Sequence, residues 1–130
     1  MPEELLIHPD PLRDFRVESL TFLGRTKDVY VLGEGPAVIV MSEIPGIYQL
    51  VADFARRLCA EGFTVWMPHM FGEAGRVPSK GYALASMAKA CISKEFYAFS
   101  ANQSSPIVDW LRSLARHAHE QSGGKGVGAI

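Results

Sequence analysis

The sequence predicts an α/β fold, a mostly parallel sheet flanked by helices, and three observations carry that expectation. Ala37-Val38-Ile39-Val40-Met41 is apolar at every position, as a strand covered on both faces requires. From Tyr48 to Glu61 the pattern turns helical, and a second apolar run, Phe63 to Met67, follows at once. A strand–helix–strand unit closes with a right-handed crossover, which makes its two strands parallel.

Taken in order, the first 27 residues are charged and mixed, and Pro9 and Pro11 break any early helix. Val17 to Phe22 and Val29 to Leu32 read as short strands rich in β-branched and aromatic residues. Gly33-Glu34-Gly35-Pro36 is a strong turn signal, and the simplest reading is two antiparallel strands joined by that loop. In the helix after Ala37–Met41, Val51, Phe54, Ala55, Leu58 and Cys59 share one face, while Asp53, Arg56, Arg57 and Glu61 avoid it. Gly62 stands where a left-handed C-cap is expected, and Pro68 stops the following strand.

Phe71 to Gly81 reads as a loop and Tyr82 to Ile92 as an alanine-rich helix. Ser93 to Gln103 suits either a strand or a helix end with a loop. A further helix opens with Ser105 as N-cap, Pro106 at the first helical position and Asp109 in the first turn. Its expected buried stripe is Ile107, Leu111, Leu114, Ala115 and Ala118, and Gly123-Gly124 closes it. Lys125 to Ile130 begins a third parallel-type strand. Since such strands are normally internal, the preferred reading is a single, incomplete domain over residues 1–130 whose second half is missing; a short terminal edge strand is the alternative.

Composition narrows the function. The 130 residues are 48% hydrophobic and 21% charged, values of an ordinary globular chain rather than a disordered one. Thirteen Lys and Arg against fourteen Asp and Glu leave a formal charge of −1, which offers nucleic acid no basic field. The amino terminus is acidic where a secretory signal needs positive charge, and no apolar run approaches the roughly 20 residues of a membrane helix. The expected compartment is therefore the cytoplasm. Cys59 and Cys91 read as reduced core thiols rather than a bridge.

Candidate chemistry is sparse. Gly124-Lys125-Gly126-Val127-Gly128 follows a helix and opens a strand, the reverse of a phosphate loop. His117 and His119 are two apart on a helix and cannot share a metal; both are expected to face solvent, so no metal or cofactor is implied. Ser42-Glu43-Ile44-Pro45-Gly46 is more informative. It lies at the carboxyl end of the first parallel strand, the rim where open α/β sheets bind ligands. Burial there would raise the pKa of Glu43, although a solvated loop carboxylate is the plainer role. Pro45 cannot donate, so the Ile44 amide is the natural oxyanion donor.

Residues 35–47, Gly35-Pro36-Ala37-Val38-Ile39-Val40-Met41-Ser42-Glu43-Ile44-Pro45-Gly46-Ile47, resemble the opening of dienelactone hydrolases, which are α/β-hydrolases with a cysteine nucleophile. Val51 to Gly62, Phe63 to Pro68, Met70-Phe71-Gly72 and Ile107 to Ile130 continue the pattern, so the likeness covers about residues 17–130. The resemblance implies the amino-terminal half of an α/β-hydrolase fold, ending at the strand before a G-x-C-x-G elbow. It further implies that Glu43 activates the cysteine and that the Ile44 amide serves the oxyanion hole. Tyr82, Lys94 and Tyr97 are candidates for substrate binding, and His69 stands where relatives carry Asp. The implied substrate is a small ester or lactone, hydrolysed once the missing carboxyl-terminal half is present. The rival expectation is a non-catalytic binding module that completes its sheet with a second chain.

Overall fold

The computed structural model describes residues 10–42, 46–70, 74–77, 79–92 and 105–130, with residues 90–92 by backbone only. In chain order the elements are β1 (Arg16–Phe22), β2 (Arg25–Gly33), β3 (Ala37–Ile39), α1 (Gln49–Ala60), β4 (Thr64–Pro68), α2 (Lys80–Ile92), α3 (Pro106–Gln121) and β5 (Val127–Ala129). The five described strands form one sheet in the order β1-β2-β4-β3-β5. It is mixed: β1–β2 and β2–β4 are antiparallel, whereas β3–β4 and β3–β5 are parallel.

The parallel pairing of β3 with β4 and with β5 agrees with the sequence reading. The expected antiparallel pair across Gly33–Pro36 does not form, because β4 lies between β2 and β3. The hairpin is instead β1–β2, turned by Leu23 and Gly24 at φ 54° and 75°. A two-residue hairpin favours positive φ, and Leu23 adopts it without the usual Asn-Gly signal. The Gly33–Pro36 loop crosses the turn between α1 and β4 at close range. A Cβ on Gly35 would overlap the Gly62 carbonyl oxygen, and one on Gly33 that of Phe63. Thr64 fastens the crossing, donating its amide to the Pro36 carbonyl at 2.9 Å and its hydroxyl to that of Gly35 at 2.8 Å.

Strand alternation divides the core into two layers. Val38, Val40, Val65 and Met67 pack with Ala52 and Ala55 of α1. Val29, Val31, Ala37, Ile39 and Trp66 pack with Trp110, Leu114 and Ala118 of α3 on the opposite face. The helix repeat of α1 is present, yet its buried arc is rotated from the expected one: Ala52 and Ala55 are sealed, while Phe54 is 38% exposed. Two small side chains let the helix approach the sheet more closely than Phe54 would. Gly62 takes φ 96°, its amide donates to the Cys59 carbonyl, and the Phe63 amide donates to that of Leu58, which completes a Schellman cap.

On the other face, the expected stripe of α3 omitted Trp110. This fully buried residue donates its indole N–H to the Arg25 carbonyl at 2.9 Å and meets Phe22 edge-on. Leu111 and Ala115 are half-buried beside it. Ser105 has the extended backbone of an N-cap, though its side chain makes no cap bond. The two helical histidines do not face solvent as expected. His117 lies against Trp66 and Phe22, at ring separations of 5.5 and 5.9 Å, and His119 Nδ1 accepts the Gly126 amide at 3.0 Å. Pro68 forms the last residue of β4 rather than stopping the strand before it.

The segment before β1 is anchored by Arg56. Its guanidinium grips both carboxylate oxygens of Asp14 at 2.6 and 2.9 Å, reaches Asp53 at 2.7 Å and bonds the Pro11 carbonyl. Leu12 and Phe15 are thereby held in the α1-side core, each burial contributing about 1.5–3 kcal/mol. The hydrogen bond from Arg56 holds the Asp14 carboxyl below its usual range. A lowered carboxyl stabilises the fold above the unfolded value of about 3.9 and loses that contribution as pH falls through the folded value.

Arg56→Ala should therefore cost about 1–2 kcal/mol in urea unfolding at pH 7, toward the low end for charge-assisted bonds because the Asp14 side chain is 42% exposed. The difference from wild type should shrink as pH drops below about 4. Gly35→Ala should abolish stable folding, because its Cβ meets backbone, whereas Gly62→Ala, with open space around it, should cost only about 1 kcal/mol. Thermal denaturation of the two variants checks the contrast.

Candidate active site

The connection from β3 to β4 runs through α1 on one face, and that from β4 to β5 brings α3 onto the other. The connections from β3 to β4 and from β4 to β5 thus run on opposite faces of the sheet, and β3 ends up between the two strands they lead to. The crevice beyond the carboxyl ends of β3 and β5 is the topological switch point, where such sheets bind ligands.

Backbone bonding fixes the height of both strand ends. Val40 donates to the Trp66 carbonyl at 3.0 Å, Ile130 to Ile39 at 2.9 Å and Met41 to Ile130 at 2.8 Å. Ser42 follows directly and is 6% exposed. Its Oγ is buried without a hydrogen-bond partner among the described residues. Gly46 and Ile47 are buried, and the Ile47 carbonyl accepts the Gly75 amide at 2.7 Å. The loop after β4 is thereby tied to the start of α1. Apart from its backbone, the described rim offers Met41, Ser42 and Ile130.

Glu43 and Ile44 lie outside the described residues, as do Lys94 and Tyr97. Tyr82 is described. It is buried in the first turn of α2, which starts two residues earlier than expected because Ser79 Oγ accepts the Tyr82 amide. The Arg76 guanidinium stacks over its ring at 4.1 Å, so that face of the ring is covered. Sequence reasoning passed over Arg76 and named Ser42 only as the start of the 42–46 stretch, with no role of its own. Nothing in a loop arginine marks it in advance, whereas a serine directly after five apolar strand residues is a signal of buried hydroxyl.

The two cysteines are in helices, as expected. Cys59 is half-buried and donates its thiol to the Leu32 carbonyl at 3.3 Å, and burial pushes its pKa up. Cys91 is in α2, with its side chain outside the description. Among the described residues, no three His, Cys, Asp or Glu side chains gather to hold a metal. No described helix is long and apolar enough to cross a membrane. A cavity of about 450 Å³ runs beside β5, lined by Pro36, Val38, Phe63 and the Lys125–Ile130 segment. Another of about 280 Å³ lies near the amino end of β4, among Arg16, Glu34, Thr64 and Gln121. Neither includes Ser42.

A mixed sheet between two helical layers, with its switch-point crevice at β3, is the architecture of an α/β-hydrolase. The chain belongs to the dienelactone hydrolase family, whose model matches residues 21–130. Among solved structures it is similar to a protein of Klebsiella pneumoniae subsp. pneumoniae MGH 78578 assigned as a dienelactone hydrolase. The identity is 18% and the TM-score 0.61, covering 88% of this chain and 48% of that one. The chain therefore spans about half the length of that protein. An epoxide hydrolase from Vigna radiata matches at 14% identity and TM-score 0.43, over 65% of this chain and 30% of its own. No curated protein matches.

The geometry of Cys59 predicts slow chemistry. Iodoacetamide at pH 8, followed by peptide mass mapping, should modify Cys59 several-fold more slowly than free cysteine, since burial disfavours the thiolate. Modification at the free-cysteine rate would contradict this account of the thiol.

Proposed function

We propose that this chain is the amino-terminal half of a dienelactone-hydrolase-like enzyme that opens a carboxylic ester or lactone. A cysteine beyond residue 130 attacks the carbonyl and forms a thioester while the alcohol leaves, and water then releases the acid. Glu43 helps ionise that thiol, and the Ile44 amide binds the oxyanion. The substrate is a small molecule, with no nucleic acid, membrane or cofactor involved. Tyr82, Lys94 and Tyr97 remain the candidates for holding it.

One observation carries the reading. Met41 and Ile130 are joined by backbone hydrogen bonding, so Ser42 stands beside the carboxyl end of β5. That is where the family resemblance puts the nucleophile elbow. A binding module that adds a strand from another chain is the second reading, supported by the outer edge of β5 and its adjoining cavity.

Hydrolysis of p-nitrophenyl acetate tests the choice, using the longer reading frame and the 130-residue chain side by side. The longer protein should turn over, Glu43→Gln should reduce its kcat/KM by roughly a hundredfold or more, and the short chain should not exceed a denatured control. Saturable turnover by the short chain, or full activity of Glu43→Gln, would overturn the proposal. A stop codon after Ile130 with a stable complex of two chains would favour the module.

A further inference from the structure

The cavity of about 280 Å³ near the amino end of β4 has no part in the hydrolase reading. Met41, Ser42 and Ile130, the described rim of the crevice, do not line it. Its polar groups come from three places far apart in the chain. Arg16 opens β1, Glu34 lies between β2 and β3, and Gln121 and Ser122 end α3.

Two of these groups carry opposite charge and share the cavity, yet no ion pair joins them. The Arg16 guanidinium instead makes a single 3.2 Å contact with Glu18 and is 58% exposed, so donors remain for another partner. Glu34 has no side-chain partner among the described residues. Its backbone is held in place. Gly33 and Gly35 take φ 92° and 119° and lie against the carbonyls of Phe63 and Gly62, and Thr64 bonds the carbonyls of Gly35 and Pro36. The cavity therefore keeps a carboxylate on a fixed loop apart from a guanidinium on a strand.

Trp66 joins the remaining donors. Arg16 stands over its ring at 5.8 Å, and its indole N–H is spent on Ser122 Oγ at 3.2 Å. With that lone pair occupied, the Ser122 hydroxyl still has its own hydrogen to donate. A cation and a hydroxyl donor thus flank one indole, and the Gln121 carboxamide, also without a side-chain partner among the described residues, adds a donor and an acceptor beside them.

We propose that this cavity binds a small zwitterion, a free α-amino acid, with its carboxylate on Arg16 and Ser122 and its ammonium on Glu34. A guanidinium matches a carboxylate with two parallel N–H bonds, and a hydroxyl can add a third. A ligand with negative charge alone would meet Glu34 unfavourably, and one with positive charge alone would meet Arg16 unfavourably. A molecule carrying both charges satisfies both walls. This site is independent of the hydrolase reading.

NMR of the 15N-labelled protein titrated with L-alanine tests the proposal through the two indole N–H signals. The Trp66 signal should move saturably with a dissociation constant on the order of 1 mM, the strength expected of water-exposed charge contacts. The Trp110 signal, bonded to the Arg25 carbonyl, should stay in place. Arg16→Gln and Glu34→Gln should each weaken binding about fivefold to tenfold and keep the wild-type melting temperature, since both side chains are exposed. N-acetyl-L-alanine, without the ammonium, and L-alaninamide, without the carboxylate, should bind at least about tenfold more weakly. These analogues carry the test even where a variant is destabilised. No movement of the Trp66 signal at about 20 mM L-alanine overturns the proposal, as does wild-type affinity in either folded variant. Equal binding of N-acetyl-L-alanine also overturns it, by marking an anion site at Arg16 alone. Ester hydrolysis, assayed separately, can fail or succeed without changing any of these outcomes.

Discussion

The structure depends on one strand being enclosed on every side. β3 is buried on both faces, hydrogen-bonded to β4 along one edge and to β5 along the other. No polar side chain could occupy Ala37, Val38 or Ile39 without losing its water, so the apolar run is a necessity of position. Each helical layer packs against alternate residues of this strand, with α1 on one face and α3 on the other. The switch of direction at β3 follows, and with it the crevice at its carboxyl end.

The remaining features serve that enclosure. Gly33 at the end of β2 and Gly35 just after it let the chain pass over the α1–β4 turn where any side chain would collide with backbone. The Schellman cap at Gly62 redirects the chain from α1 into β4 within two residues. Trp66 reaches across from β4 to donate its indole N–H to Ser122 at 3.2 Å, and Gly126 bonds back to His119. The entry to β5 is thus held against the end of α3. Arg56 performs the corresponding task for the segment leading into β1.

Periodicity made the parallel core legible in the sequence: five apolar residues, a 3.6-residue repeat ending at Gly62, and a second apolar run. Strand order was less accessible. The Gly33–Pro36 loop looks like a hairpin turn because local chemistry cannot tell a hairpin from a crossing, and only the packing of Gly35 on Gly62 separates them. The Leu23-Gly24 turn was missed because leucine seldom adopts positive φ. Trp110 escaped the helical stripe for a similar reason, since its burial depends on the distant Arg25 carbonyl. Of the site, the location at the carboxyl end of β3 was readable from strand and turn signals. The orphaned hydroxyl of Ser42 was not, because it depends on what surrounds the residue in three dimensions.

The account's central claim is that the ends of β3 and β5 together form the reacting centre. Rapid acid quench of the longer protein during turnover of a p-nitrophenyl ester, followed by peptide mass spectrometry, tests it most directly. The account predicts an acyl group on a cysteine within a few residues after Ile130. An acyl group on Cys59, on Cys91 or on a residue remote from this strand end would contradict it.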